Sequence, residues 1–311
     1  MTTDSRYPAR LGGNGSSRVH DNLAKGLGEM GHTVYYAVEE GYAAPLPPGV
    51  IASERDRRDV DLYHYGDGPL DPTPPAPKPW LRTYHALYED SLAPILSDHL
   101  VYVSRAQAAS FGSSRYVWNG IDPEEIAYAE SKGDDFLFIV SHLHRGESKG
   151  LLVAIKTVER IGARLLVAAD LENRPVPPAL ASPNVTYLGY VVDKEKAALL
   201  AAARALFFPV QIAEPFGLVA AEALMSGTPV IGSKNGSLPE LVTPDVGFIC
   251  ETLDEYVAAA ERVHEIRPAA CRERAMREFH YRVMAERYVA EYERELGRPH
   301  SAKRSRSQQR V

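Results

Sequence analysis

The chain has 311 residues, of which 45% are hydrophobic, and it carries a formal net charge of −6. This length allows two domains of typical size, each with a sizeable core. Residues 298–311 contain five basic and no acidic side chains, so the rest of the chain is more acidic than the total suggests. An acidic body argues against a general nucleic-acid-binding protein.

Several features predict a cytoplasmic protein. The sequence contains no apolar run long enough for a transmembrane helix, and its first residues lack the apolar stretch of a signal peptide. Two cysteines, Cys250 and Cys271, fit no metal spacing and no disulfide framework, which indicates a reducing compartment. The basic tail, residues 297–311, is predicted to be disordered. Peripheral contact of this tail with an anionic membrane is the less favoured alternative.

In chain order, the first half alternates short apolar segments with helical patterns. A glycine-rich turn at residues 12–15 precedes a helix predicted over residues 17–30, whose apolar positions recur at helical spacing. Such a turn can hold an anion, although glycine turns before helices are also common for structural reasons. Strands are predicted at residues 32–38, 60–64, 80–85 and 99–104. The alternation predicts a first doubly wound α/β domain over residues 1–133.

The second half begins after a charged, polar linker with a fully apolar strand at residues 136–140, as expected for a parallel strand covered on both faces. The loop after this strand ends in Lys149 and Gly150 and leads into a helix, which is the arrangement of a phosphate-binding site. A second doubly wound domain is therefore predicted over residues 134–278, followed by a helix over residues 279–296.

The most informative stretch is residues 205–242, which has the pattern of a strand, a loop, a helix and a second strand. Glu214 lies in the loop, Gly217 precedes the helix and Glu222 lies on it. A helix N-terminus offers free N–H groups to an anion, and ionised carboxylates accept hydrogen bonds from sugar hydroxyls. Most helix glutamates are simply exposed, but Glu222 lies among apolar residues and therefore needs a partner.

Residues 214–242, EPFGLVAAEALMSGTPVIGSKNGSLPELV, resemble the E-x7-E signature of retaining, family 4 type (group 1) nucleotide-sugar glycosyltransferases. The resemblance implies a GT-B fold, in which two Rossmann-like α/β domains face a central cleft. It also implies transfer of a hexose from a nucleoside diphosphate sugar to a hydroxyl acceptor with retention. No cofactor or metal is implied, and a UDP-sugar is the expected donor. Asp59 and Asp61 form a D-x-D sequence, but they lead into a strand without a third ligand.

The resemblance also implies roles for individual residues. His85, Lys149 and Glu214 are expected to act in catalysis. The expected donor-binding residues are Gly12, Gly13, His142, Arg145, Lys149, Tyr190, Glu214, Phe216, Gly217, Leu218 and Glu222. Among these, Glu222 is expected to bind the donor ribose and Lys149 the diphosphate.

Two departures from the family pattern bear on these expectations. His142 stands where the family has an arginine for the diphosphate, so either a protonated His142 or Arg145 is expected to take that role. The first strand is expected to be truncated, or the start to be misplaced, because only residues 1–4 precede the family's first loop. Two alternatives to a glycosyltransferase stay open: a nucleotide-sugar epimerase of the same fold, and a degenerate nucleotide-sugar-binding protein.

Overall fold

The computed structural model describes residues 1–3, 7–9, 15–38, 41–66, 72–86 and 98–298. Its strands form two six-stranded parallel sheets. The first sheet contains β1 (Thr2–Thr3), β2 (Val34–Val38), β3 (Val50–Ala52), β4 (Tyr63–Tyr65), β5 (Trp80–Tyr84) and β6 (Leu100–Tyr102). The second contains β7 (Phe136–His142), β8 (Leu165–Asp170), β9 (Val185–Gly189), β10 (Ala205–Phe208), β11 (Val230–Ser233) and β12 (Gly247–Cys250).

Both sheets have the strand order of a doubly wound Rossmann fold. The first runs β3-β2-β1-β4-β5-β6 and the second runs β12-β11-β10-β7-β8-β9. The order reverses between β1 and β4 in the first sheet and between β7 and β10 in the second. In such sheets ligands bind at the reversal, beyond the carboxyl ends of the strands. The predicted fold class, two Rossmann-like units in a GT-B arrangement, is confirmed.

The helices of the described residues lie in the connections between these strands, except for three that follow the last strand. They are α1 (Gly15–Glu29), α2 (Arg105–Ser110), α3 (Leu151–Ile161), α4 (Asp193–Ala202), α5 (Leu218–Met225), α6 (Leu238–Leu241), α7 (Leu253–Arg262), α8 (Pro268–Glu278) and α9 (Tyr281–Leu296). None of these helices is long and apolar enough to cross a membrane.

The apolar run of β7 is explained by burial on both faces of the second sheet. Leu137 and Ile139 pack into one core cluster, whereas Phe136 and Phe138 pack into another on the opposite face. Successive side chains of a strand point to opposite faces, so a strand between two layers must be apolar at every position. The loop that follows this strand borders the candidate site.

Helix α9 ties the end of the chain to the first sheet. It shares a core cluster with α1, in which Leu23 and Tyr288 are fully buried. A Cβ at Gly26 would lie 2.8 Å from the Cβ of Ala285, so glycine allows the two helices to approach closely. The hydroxyl of Tyr288 also lies 2.6 Å from Thr83 Oγ1 on β5. Residues that follow the second sheet therefore pack on the first.

Two segments differ from the sequence-based expectation. Strand β3 was not predicted, because its three residues lie at a sheet edge and run into a strongly charged segment. Residues 116–122, which resemble a strand and turn of the family, form two isolated bridges instead of a strand, one between Tyr116 and Tyr102 and one between Ile121 and His280. Strand β1 is two residues long and nevertheless lies between β2 and β4.

Candidate functional site

A pocket lies where the carboxyl ends of β7, β8 and β10 face the N-terminus of α1. It is therefore at the reversal of strand order in the second sheet, as the fold predicts. Two charged residues that the sequence analysis did not single out, Arg18 and Lys196, also border it. The predicted site residues that line the pocket are Arg145, Lys149, Tyr190, Glu214, Gly217, Leu218 and Glu222.

Lys149 and Glu214 meet at this pocket although they are far apart in sequence. The Lys149 ammonium forms an ion pair with the Glu214 carboxylate and lies 5.7 Å from the centroid of the Phe208 ring. Gly150 follows with φ +83, and a Cβ there would lie 2.0 Å from the carbonyl oxygen of Pro209. Glycine is thus required for the β7–α3 loop to approach the β10 loop, which brings the lysine to the glutamate.

The loop that carries Glu214 is held by the segment after β11. The N–H of Ser237 donates to the Glu214 carbonyl oxygen at 3.0 Å, and its hydroxyl donates to the Phe216 carbonyl oxygen at 2.6 Å. Gly236 has φ +63, and a Cβ there would lie 2.3 Å from Glu214 backbone atoms. Gly217, with φ +87, starts helix α5. The acidic loop is therefore fixed by backbone contacts before any ligand binds.

Glu222 is 1% exposed and is held by two cations. Arg18 Nη1 donates to its Oε1, and Lys196 Nζ lies 2.6 Å from its Oε2. Burial alone would raise the pKa of Glu222, but the charges of Lys196 and Arg18 outweigh it and hold that pKa below its usual range. The carboxylate is therefore ionised and has acceptor capacity to spare.

Arg18 and Lys196 were missed from the sequence for different reasons. Lys196 lies one turn before the buried Leu200 on α4. A lysine on the apolar side of a helix is rarely buried without a charged partner, so its position in the sequence could have marked it as a candidate. Arg18 lies on a part of α1 that is buried nearly all round. The N-terminal turns of α1 contact α5 through Gly15 and Arg18, whereas the rest of the helix packs on α9 and the first sheet. Nothing local in the sequence specifies the contact with α5.

His142 and Arg145 are placed differently. The Nδ1 atoms of His142 and His144 both face the Glu172 carboxylate, that of His142 at 3.3 Å from Oε1, and the two imidazole rings stack with centroids 5.7 Å apart. His142 is not among the residues that border the pocket, whereas Arg145 is. Of the two candidates for the missing family arginine, the structure brings Arg145 to the site.

His85 lies at the end of β5, apart from the pocket described above. Its ring is 5.2 Å from the His20 ring, which in turn is 5.7 Å from His64. Burial, with smaller contributions from the charges of His20 and Arg82, lowers the pKa of His85 well below its usual value, so this imidazole is neutral at physiological pH. Its Nε2 is buried without a hydrogen-bond partner.

The other predicted residues complete the comparison. Tyr190 is 48% exposed at the rim of the pocket, whereas the Phe216 ring is buried in the core against Phe279. Gly12 and Gly13 lie outside the described residues. Within the described ranges, no cluster of His, Cys, Asp and Glu side chains is arranged to hold a metal ion.

Known proteins resemble this chain over its second half and in its fold. Residues 134–266 match the family described as Glycosyl transferases group 1. The MMP alpha-(1->4)-mannosyltransferase of Mycolicibacterium hassiacum is 34% identical over 161 residues, which cover 44% of this chain and 38% of that protein. A GDP-mannose-dependent alpha-(1-6)-phosphatidylinositol dimannoside mannosyltransferase of Mycobacterium tuberculosis is 32% identical over 119 residues, or 38% of this chain and 31% of that protein. The matches thus span well under half the length of these relatives.

Solved structures are similar over nearly the whole chain. AviGT4, a glycosyltransferase involved in avilamycin A biosynthesis, is 28% identical with a TM-score of 0.75, and the match covers 91% of this chain and 90% of that one. The sucrose-phosphate synthase of Thermosynechococcus elongatus has the same fold, with a TM-score of 0.69 at 17% identity. Residues 134–266 therefore match the Glycosyl transferases group 1 family, and the chain as a whole has the GT-B fold of glycosyltransferases such as AviGT4.

Proposed function

We propose that this protein transfers a sugar from a nucleoside diphosphate sugar to a hydroxyl-bearing acceptor, with retention of the anomeric configuration. The observation that carries the proposal is the convergence of Lys149, Glu214 and Glu222 on one pocket at the strand-order reversal of the second sheet. In such sheets this is the position where nucleotides bind. The match of residues 134–266 to the Glycosyl transferases group 1 family supports the same reaction.

We assign the donor ribose to Glu222 and the diphosphate to the cations that line the pocket, Lys149 and Arg145 among them. An ionised carboxylate accepts hydrogen bonds from two vicinal hydroxyls, and each oxygen of Glu222 has a lone pair beyond the one that faces Arg18 or Lys196. The first turn of α5, at Gly217, Leu218 and Val219, borders the same pocket. Its N–H groups and the positive end of the helix dipole favour a phosphate there.

The chemistry assigned to the pocket is stabilisation of the leaving group. The bond between the sugar C1 and the phosphate oxygen breaks, and the nucleoside diphosphate leaves with the electron pair. The acceptor oxygen bonds to C1 on the face that the leaving group vacates, and its hydroxyl proton passes to the departing phosphate oxygen. Negative charge grows on the departing phosphate, so Lys149 and Arg145 stabilise the transition state more than the ground state. Glu214, which is bonded to Lys149, is placed to orient that lysine and to accept a hydrogen bond from the transferred sugar.

Two donor bases deserve a direct comparison. A UDP-sugar is the donor expected from the family resemblance, whereas one mannosyltransferase similar to this chain is GDP-mannose-dependent. We therefore propose UDP-hexoses and GDP-mannose as the two donor classes to test first. The acceptor is proposed only as a hydroxyl-bearing molecule.

The experiment incubates the protein with UDP-glucose, UDP-N-acetylglucosamine or GDP-mannose, with and without a panel of sugar and polyol acceptors, and measures release of UDP or GDP. We expect nucleotide release that an acceptor accelerates and that Lys149→Ala abolishes. Conversion of the donor sugar to an epimer without an acceptor would identify an epimerase. Nucleotide binding without any turnover would support the degenerate binding protein.

A further inference from the structure

One buried arginine, Arg18, connects the two halves of the candidate site. It lies in the first turns of α1, under the first sheet, and is 4% exposed. Its Nη1 donates to Glu222, and its Nη2 donates to Glu125 at 2.8 Å. Arg18 therefore connects α1 with α5, the helix that carries Glu222.

The guanidinium has more donors than these contacts use. An arginine side chain carries five N–H groups, and the Nε of Arg18 is buried without a hydrogen-bond partner. Unpaired buried donors of a charged group are costly, and they point to an acceptor that is supplied from elsewhere. Because Arg18 borders the pocket, a ligand in the pocket is in a position to supply that acceptor.

The charge of the pocket identifies the kind of acceptor. Among the described lining residues, the cations Arg18, Arg145, Lys149 and Lys196 outnumber the carboxylates Glu214 and Glu222 by two. A surplus of this size matches a diphosphate, which is multiply negative and accepts hydrogen bonds only. Neutral groups of the donor, its base and its sugar hydroxyls, do not compensate charge.

Two helix N-termini meet at the same place. Gly15 and Leu218, the first residues of α1 and α5, both border the pocket, and a Cβ at Gly15 would lie 2.6 Å from Leu218 Cδ1. The positive ends of both helix dipoles are therefore close to Arg18, and both favour a negative group. The loop that follows β7 supplies Arg145 from the opposite side.

We propose that Arg18 is a donor-binding residue that contacts the diphosphate from the side of the first sheet, while its bond to Glu222 aligns that carboxylate with the ribose. Arg18 thereby supplies, from the first half of the chain, part of the positive charge that the family's arginine provides and that His142 replaces here. This assignment rests on the proposed nucleotide-sugar site and extends it to a residue on α1.

The test separates phosphate binding from a purely structural role. Affinities for UDP and uridine, and for GDP and guanosine, are measured by calorimetry for the wild type, Arg18→Gln and Arg18→Lys. Arg18→Gln should weaken nucleoside binding to some extent, because Glu222 loses one of the two cations that align it, and should weaken diphosphate binding about 10-fold more than nucleoside binding. The diphosphate affinity of Arg18→Lys should lie between those of the wild type and Arg18→Gln. The lysine ammonium keeps the positive charge but lacks the planar, forked donors of a guanidinium.

Two further variants serve as controls. Glu222→Gln should lower the affinities for the nucleoside and for the nucleoside diphosphate by the same factor, because both ligands contain the ribose. Arg160→Gln, an exposed arginine on α3 paired with Asp254, is the matched control outside the pocket and should change neither affinity. Thermal unfolding of each variant verifies that it is folded.

The outcomes are distinguishable. If the Arg18 variants lose nucleoside and diphosphate affinity equally, or lose neither, Arg18 does not contact the phosphates and the inference is wrong. If Arg18→Gln does not fold, the ratio of nucleoside to diphosphate affinity in Arg18→Lys decides. If the wild type binds neither UDP nor GDP, the proposed function itself is wrong.

Discussion

Arg18 on α1 and Glu222 on α5 form a buried ion pair between residues 204 positions apart in sequence. The pair joins the helix packed on the first sheet to the helix that begins at the candidate site in the second. Neither side chain is more than 4% exposed. Because removing one partner of a buried pair leaves an uncompensated charge, this contact links the stability of the fold to the geometry of the pocket.

The first prediction concerns Glu222. Replacement by glutamine keeps the size of the side chain and removes its charge, so hydrogen bonds to the ribose weaken. A hydrogen bond to a charged group contributes roughly 1.5–3 kcal/mol, so donor affinity should fall about 10- to 150-fold. Calorimetric titration of UDP and GDP measures this. Glu195→Gln, at an exposed position of α4, is the matched control, and unchanged affinity in Glu222→Gln would remove Glu222 from the site.

The second prediction concerns Lys149. Because charge on the leaving phosphate grows in the transition state, Lys149→Ala should lower kcat more than donor affinity. Steady-state kinetics and calorimetry on the same variant separate the two effects. Lys194→Ala, which removes an exposed lysine of α4, should leave both unchanged. Near-normal turnover in Lys149→Ala would show that its bond to Glu214 is structural only.

The third prediction separates Arg145 from His142. Arg145 borders the pocket and His142 faces Glu172, so Arg145→Gln should weaken UDP or GDP binding and His142→Ala should not. The affinity of the wild type should also be flat across the pH range in which histidine titrates, because arginine stays charged there. Affinity that rises as pH falls, and that disappears in His142→Ala, would assign the role to His142.

The fourth prediction concerns Asp21, a buried acid of α1. It accepts hydrogen bonds from the Ala9 N–H at 2.7 Å and the Tyr36 hydroxyl at 2.6 Å. Burial raises the pKa of Asp21 to about 6 from 3.8, against the opposing effect of those two hydrogen bonds. The folded state therefore holds the proton more tightly than the unfolded state, and the stability contribution of Asp21 is lost as pH rises from about 4 to 6.

Asparagine at position 21 keeps an acceptor for Ala9 and a donor for Tyr36 without the charge. Asp21→Asn should therefore increase the free energy of unfolding at about pH 8 by up to about 3 kcal/mol, and by much less near pH 4. Denaturant unfolding at both pH values measures the difference. An equal effect at the two pH values would show that the charge of Asp21 carries no penalty.

The fifth prediction compares the two glycines that flank α3. Both Gly150 and Gly162 have positive φ, but a Cβ at Gly162 would meet nothing within 4 Å, whereas one at Gly150 would collide with Pro209. Gly162→Ala should cost about 1 kcal/mol through backbone strain alone. Gly150→Ala should destabilise the fold clearly more and displace Lys149. Equal losses in the free energy of unfolding would mean that the Pro209 contact relaxes freely.

Much of the fold follows from local sequence patterns. The apolar run of β7 predicts a strand buried on both faces, and the glycines at positions 150 and 217 mark the tight turns before α3 and α5. The shared position of Lys149 and Glu214 follows once both are placed at carboxyl ends of neighbouring strands. Strand β3 has only three residues at an edge, which is too little pattern to detect.

The parts of the site that were missed depend on contacts between distant segments. No local pattern specifies that α1 faces α5, so the pairing of Arg18 with Glu222 emerges only from the packing of the two sheets. The neighbouring case of Lys196 is intermediate, since its place on the apolar side of α4 was visible in the sequence. His142 was marked as a departure from the family pattern, but its pairing with Glu172 depends on the loop after β8.

The most direct test of the account is a crystal structure of the protein with UDP or GDP, whichever binds in calorimetry. We predict that the ribose hydroxyls lie within hydrogen-bond distance of the Glu222 carboxylate. The phosphates should lie at Lys149 and the first turn of α5, with Arg18 in contact with a phosphate oxygen. A nucleotide bound elsewhere, or one in this pocket whose ribose does not contact Glu222, would contradict it.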